Sequence, residues 1–253
     1  VAGTFAGSAA TLVDAFIAVI PAAALFFGAY GRYDGMFRDN VVFLYFIGGL
    51  LVGGLLGFVT ILALGINAPL VTVLLIALFW PVSITLGINR RKWQGERHAV
   101  FNGGALGLGA AVMVSLSVLY RLVVGLRTEA ATAQPDDVVG YVNAHVFTLG
   151  NLAQSLLLAA AFAGVFFGLG LLAGDSVRRR KPIATALLGA AIVLPVAIFL
   201  FEFVIDRAWL WVALLLVYGG AVAFFAERKL FLEGVTEDDR KALRRRKRRA
   251  AQE

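Results

Sequence analysis

Five polar residues fall inside long apolar stretches and have the clearest scope for chemistry: Asp14, Arg121, Asn151, Gln154 and Glu202. An ionisable group in hydrocarbon is costly, so it is usually paired or faces a cavity. Two carboxylates, a guanidinium and two amides could line an outward-facing polar pocket for a small solute. The alternative is interfacial snorkelling with one structural ion pair, since the three charges, Asp14, Arg121 and Glu202, lie close enough to the interface to reach water. Helical register puts Arg121 on one stripe with Gly103, Gly107, Ala110, Val114 and Ser117. That stripe should face neighbouring helices, so Arg121 is expected to pair with Asp14 or Glu202.

Other chemistries find no residues to carry them. His98 and His145 are the two histidines, and the topology argued below puts them on opposite faces of a membrane, where they cannot share a metal or a haem. The chain has no cysteine, which excludes disulfides, thiolate metal sites and a thiol nucleophile. No lysine lies in mid-span to form a retinal Schiff base. No phosphate-binding G-x-x-x-x-G-K-[ST] loop occurs. Gly107 and Gly109 make a lone Gly-x-Gly inside an apolar segment and carry no dinucleotide signal. No Ser/His/Asp set can be assembled. The sequence therefore predicts no catalytic residue, no metal site and no cofactor.

The elements holding these residues are membrane spans. Hydrophobic residues make up 60% of the 253 and charged residues 15%, against roughly 45–50% and about 25% in soluble domains. Mean hydropathy is +0.85. About 20 apolar residues cross the hydrocarbon core as a helix. Seven segments qualify: Ala10–Tyr30, Val41–Gly65, Pro69–Ile88, His98–Leu122, His145–Gly174, Ile183–Ile205 and Trp209–Ala226. The predicted fold is an all-α, polytopic transmembrane helical bundle. It has one transmembrane domain over residues 1–230 and a basic cytoplasmic tail over 231–253.

The loops orient the bundle. Arg32 and Arg38 follow the first span. Arg90, Arg91, Lys92 and Arg97 follow the third, Arg178, Arg179, Arg180 and Lys181 the fifth, and a densely basic tail the seventh. The intervening connections hold few cations, and the longest carries Glu129, Asp136 and Asp137. The positive-inside rule then places the N-terminus outside and the C-terminus in the cytoplasm. The net charge of +7 is a topology signal and points to no specific nucleic acid. No basic stretch precedes the first span, so no ordinary signal peptide is expected; a processed or incompletely recorded start stays open.

Small residues recur every four positions: Gly49, Gly53 and Gly57 in the second span, Gly103 and Gly107 in the fourth, Ala160, Gly164 and Gly168 in the fifth. Lipid tails give apolar helices no reason to associate, so close backbone approach must drive their packing. These three spans are expected to form the packed centre, with Gly28 and Gly219 tolerant of larger residues. Pro21, Pro81 and Pro195 lie inside spans and read as ordinary kinks. Pro135-Asp136-Asp137 is a helix start, which predicts an interfacial helix over Val138–Ala144.

One stretch resembles the PrsW-type intramembrane proteases. It runs from Arg90-Arg91-Lys92 through Gly103-Gly104-Ala105-Leu106-Gly107-Leu108-Gly109-Ala110 to Leu119-Tyr120, and covers spans three to five. In that family a helix with paired glutamates and a lysine precedes the basic loop, and the next helix is glycine-rich before Glu-Asn-x-x-Tyr. Here Tyr120 matches, but Leu116 and Ser117 replace Glu-Asn, Trp80-Pro81-Val82-Ser83 carries no glutamate, and the later helical histidine has no counterpart. The resemblance implies a related bundle without protease chemistry, so it transfers no catalytic residue.

Thr236 can cap a tail helix whose first turn is acidic and whose later turns are basic, which suits the helix dipole. Arg244, Arg245, Arg246, Lys247, Arg248 and Arg249 would project charge all round and hold the tail near anionic lipids of the cytoplasmic leaflet. The leading expectation is thus a non-catalytic, multi-pass protein of the cell membrane, a scaffold, assembly factor or accessory subunit whose partners are the bilayer and other membrane subunits. A small-solute transporter or channel is the first alternative, and a divergent PrsW-like protease the second.

Overall fold

The computed structural model describes residues 2–33, 37–66, 68–89, 96, 98–133, 137–138, 141–142, 145, 148–206, 208–231 and 241, without the side chains of 2–12, 133 and 185. Among the described residues seven long helices follow one another: α1 (Ala2–Tyr30), α2 (Asp39–Leu64), α3 (Pro69–Ile88), α4 (His98–Ala133), α5 (Leu149–Arg179), α6 (Pro182–Asp206) and α7 (Trp209–Ala226). A π-helical turn, Glu227–Phe231, continues α7. All seven helices are long and apolar enough to cross a membrane. No strand occurs among the described residues. The chain is an all-α bundle of seven candidate spans, as the hydropathy pattern predicts.

Local sequence sets the boundaries. Pro69 and Pro182 open α3 and α6, where a missing N–H costs nothing. Thr148 caps α5, its hydroxyl accepting from the Asn151 N–H. Arg180 ends α5 in the left-handed region at φ 57°, and the Lys181 N–H reaches back to the Ser176 carbonyl at 2.9 Å. Pro21, Pro81 and Pro195 sit within α1, α3 and α6 without ending them. At 36 residues, α4 is about 54 Å long, well beyond the ~30 Å hydrocarbon core. Its projecting end supplies Val123, Leu126 and Ala130 to a small second core, completed by Val142 with Val138 and Tyr141 packed on it. Val138, Tyr141 and Val142, within the expected interfacial helix, are helical; the rest of Val138–Ala144 lies outside the described residues.

The centre is α4 and α5, whose most apolar windows are 61% and 78% buried, against 17% for α7. Glycines let these helices touch through backbone. A Cβ on Gly103 would strike the backbone of Gly170 and Gly174, and one on Gly107 the backbone of Phe166. On the other side of α4, Gly49 faces Leu106 and Gly109, Gly53 lies 2.6 Å from Ala110 as a Cβ would measure it, and Gly57 meets Ser117. On the other side of α5, Gly164 meets Gly219 and Gly168 meets Val222. Gly164/Gly168 and Gly170/Gly174 are therefore two stripes on α5, about 120° apart at 3.6 residues per turn, each taking a different neighbour. One expectation is corrected here. Gly219 is not tolerant, because a Cβ there would press on Ala161. Gly28 has nothing within 4 Å.

The end of the bundle bearing the basic connections is closed by rings. Tyr30 donates its hydroxyl proton to the Phe101 carbonyl. Phe231, fully buried, has its ring centroid 5.6 Å from Tyr30, 4.8 Å from Phe101, 4.7 Å from Tyr33 and 6.0 Å from Phe167. An Arg32–Glu227 ion pair at 3.1 Å ties the end of α1 to the same turn.

Candidate functional site

At the opposite end, four helices surround a small cavity. Asp14 enters from α1, Leu119, Leu122, Val123 and Leu126 from α4, Asn151, Gln154 and Ser155 from the first turns of α5, and Phe203 from α6. Its volume is about 60 Å³. A water needs roughly 10–15 Å³ measured this way, and organic ligand pockets run to about 300–1,000 Å³. The cavity thus suits a few waters or one small ion, not an organic solute.

Asp14 is 5% exposed, and no hydrogen bond or ion pair involves it among the described residues. The wall opposite is more constrained. Asn151 donates its amide N–H to the His145 carbonyl, which leaves its Oδ1 as the atom on offer. The Thr148 hydroxyl donates to the same carbonyl at 3.2 Å. The N-terminal turn of α5 adds the positive end of a helix dipole. The arrangement is one carboxylate, two side-chain amides and a hydroxyl, with no cationic side chain lining it among the described residues. It can hold water, a proton or a small monovalent cation. Among the described residues no group of three or more His, Asp or Glu could hold a metal, and a lone carboxylate is poor in charge for a divalent ion.

Three of the five polar residues expected to cluster, Asp14, Asn151 and Gln154, line this cavity; Arg121 and Glu202 do not. The expected pairing of Arg121 is corrected as well. Among the described residues Arg121 makes no ion pair with Asp14 or Glu202. The stripe it continues turns toward α2, where Ser117 meets Gly57, whereas the cavity is lined by the α4 face of Leu119, Leu122 and Leu126. Glu202 is a neighbour of the lining residue Phe203 but about 100° round the helix from it.

The polar site that sequence reasoning missed lies at the basic end. Asp175, 6% exposed, accepts from Arg178 Nε at 2.9 Å and pairs with Arg179 Nε at 2.7 Å. Its signal was an acid three and four residues ahead of two arginines near a helix C-terminus. His98 opens α4, while His145 precedes α5 at the other end and bonds the Tyr141 carbonyl through Nδ1 at 2.8 Å. Further along α4, Ser117 donates to the Met113 carbonyl at 2.7 Å and Tyr120 is 46% exposed. The tail cluster Arg244, Arg245, Arg246, Lys247, Arg248 and Arg249 lies outside the described residues.

Compared with protein families, curated proteins and solved structures, the chain matches none.

Proposed function

We propose that this is a non-catalytic, multi-pass protein of the cell membrane acting as an accessory subunit or assembly partner of a larger membrane complex. The observation that carries the reading is the closed centre. Where α2, α4, α5 and α7 meet, glycine and backbone are in contact, and residues 99–112 of α4 are all buried. Such a seam holds helices in place and leaves no room for a substrate. In contrast, α2, α3, α6 and α7 present leucines, valines and phenylalanines outward, a surface for lipid or for other membrane helices. In this reading the N-terminus is outside, the basic loops and tail are cytoplasmic, and the tail lies against anionic lipid.

Two experiments test it. Extraction in mild detergent should bring down a membrane partner in fixed stoichiometry; a lone chain that moves solute in proteoliposomes would contradict the subunit role. Single cysteines replacing Ser8 and Ala251 test the topology. An impermeant thiol reagent on intact cells should label the first and spare the second, and the reverse pattern would invert the assignment.

One observation favours a transport reading as the second choice. Asp14 is a buried carboxylate that no countercharge meets among the described residues, beside a polar cavity, a setting that marks ion or proton pathways in membrane proteins. Proteoliposome flux of protons and alkali cations separates the two readings.

A further inference from the structure

We propose that the groove between α5, α6 and α7 at the basic end binds one anionic phospholipid, with an acyl chain along the groove and the phosphate at Arg179 and Lys229. The proposal rests on the chain spanning a membrane, not on the accessory-subunit role. The groove has a volume of about 560 Å³ and runs from Gly168 and Tyr218 at its deep end to Arg179 and Lys229 at its mouth. Leu188, Ile192 and Phe225 are among its apolar walls. From Gly168 to Arg179 on α5 the rise is about 16 Å at 1.5 Å per residue, and Tyr218 on α7 and Lys229 on the π-helical turn that follows it line the groove opposite. The rise matches one leaflet, half of the ~30 Å hydrocarbon core. A chain lying in the groove would therefore put its headgroup level with the two cations.

Charge selects the headgroup. Arg179 is held at the mouth by its ion pair with Asp175 at 2.7 Å and is half exposed there, and Lys229, which lines the same mouth, is exposed. Arg178, Arg180 and Lys181 stand beside Arg179 on the same turn and connection. Glu227, the nearby acid on the π-helical turn, is engaged by Arg32. Among the described residues, the groove lined by Val82, Leu86, Ile183 and Leu187 has no charged residue, and the one lined by Phe27, Phe37 and Phe43 has Asp39. Asp175, which also lines the groove at Arg179 and Lys229, is itself paired with Arg178 and Arg179. Lipid fills all three in a bilayer, but the groove at Arg179 and Lys229 complements a phosphate. Basic pockets between spans are recognised settings for anionic headgroups.

The test uses the full chain purified in a neutral detergent, titrated with dioleoyl phosphatidylglycerol, dioleoyl phosphatidylcholine or glycerol phosphate, and read by native mass spectrometry. One phosphatidylglycerol should bind in preference to phosphatidylcholine, and glycerol phosphate alone should not bind. Lys229→Ala should weaken phosphatidylglycerol about fivefold, the worth of one cation near an anionic layer. Leu188→Trp, at an exposed groove position, should weaken both lipids by obstructing the acyl track. Arg38→Ala, an exposed cation at the same end that lines none of these grooves, should change nothing. Equal binding of both lipids, binding of glycerol phosphate alone, or equal losses from Lys229→Ala and Arg38→Ala would overturn the proposal. None of these results bears on copurification with a partner, so the subunit reading fails or stands separately.

Discussion

The two ends of the bundle each bury an aspartate, and they treat it in opposite ways. At the basic end Asp175 is met by Arg178 and Arg179 at 2.9 and 2.7 Å, and the same end is closed by rings centred on Phe231. At the other end Asp14 faces a cavity of about 60 Å³ that no cation lines among the described residues. A buried carboxylate with its partners is a structural device. Its desolvation is offset locally, and removing a partner does harm. A buried carboxylate without partners is held there at a cost to stability, so the rest of the fold must carry it. Burial alone does not separate the two, at 6% and 5% exposed; what separates them is what each carboxylate faces.

The largest effect should come from opening the closed end. Phe231→Ala removes a fully buried ring touching α1, α4 and α5, and should cost about 3–5 kcal/mol, read by thermal unfolding in detergent. A loss under about 1 kcal/mol would mean that the lid does not close the bundle. Between the ends, Gly107→Leu should cost about 1–3 kcal/mol or more by forcing the Phe166 backbone away, while Gly28→Leu should stay within about 0.5 kcal/mol. Equal melting temperatures would show that the glycine seam is not what holds the helices. Asp175→Asn should cost about 1–2 kcal/mol, less than the ring because Arg179 is half exposed. Asp14→Asn should be neutral or raise the melting temperature, since it deletes an uncompensated charge at nearly the same volume. If Asp14→Asn destabilised as much as Asp175→Asn, the contrast between the ends would collapse.

The sequence made some of this legible and hid the rest for physical reasons. Hydropathy marks spans because every apolar residue contributes, whichever neighbour it meets, and the seven helices fall where the apolar segments lie. Glycine spacing marked one face of α5 through Gly164 and Gly168. Gly170 and Gly174 form a second motif in the same helix, and two motifs mean two neighbours; that could have been read. The ring cluster could not. Tyr30, Phe37, Phe101, Phe167 and Phe231 are spread over the chain among 20 phenylalanines, and nothing local sets them apart. Asp175 was hidden by the basic run that follows it, which reads as loop while the helix continues to Arg179. Arg121 was misplaced because a stripe gives a direction but not the neighbour it points to. Here the stripe meets α2 at Ser117 and Gly57, not the helices bearing Asp14 and Glu202.

The central claim is that the polar cavity is a dead end above a closed seam. The absence of cysteine allows it to be tested on one helix. Ser155→Cys lines the cavity, and Ala163→Cys, 1% exposed, lies about 12 Å further along α5. Each variant would be reconstituted and treated with an impermeant thiol reagent from either side. Ser155→Cys should be modified from one side only, and Ala163→Cys from neither until the protein is unfolded. Modification of Ala163→Cys in the folded protein from either side would reveal an aqueous path through the seam and contradict the closed bundle.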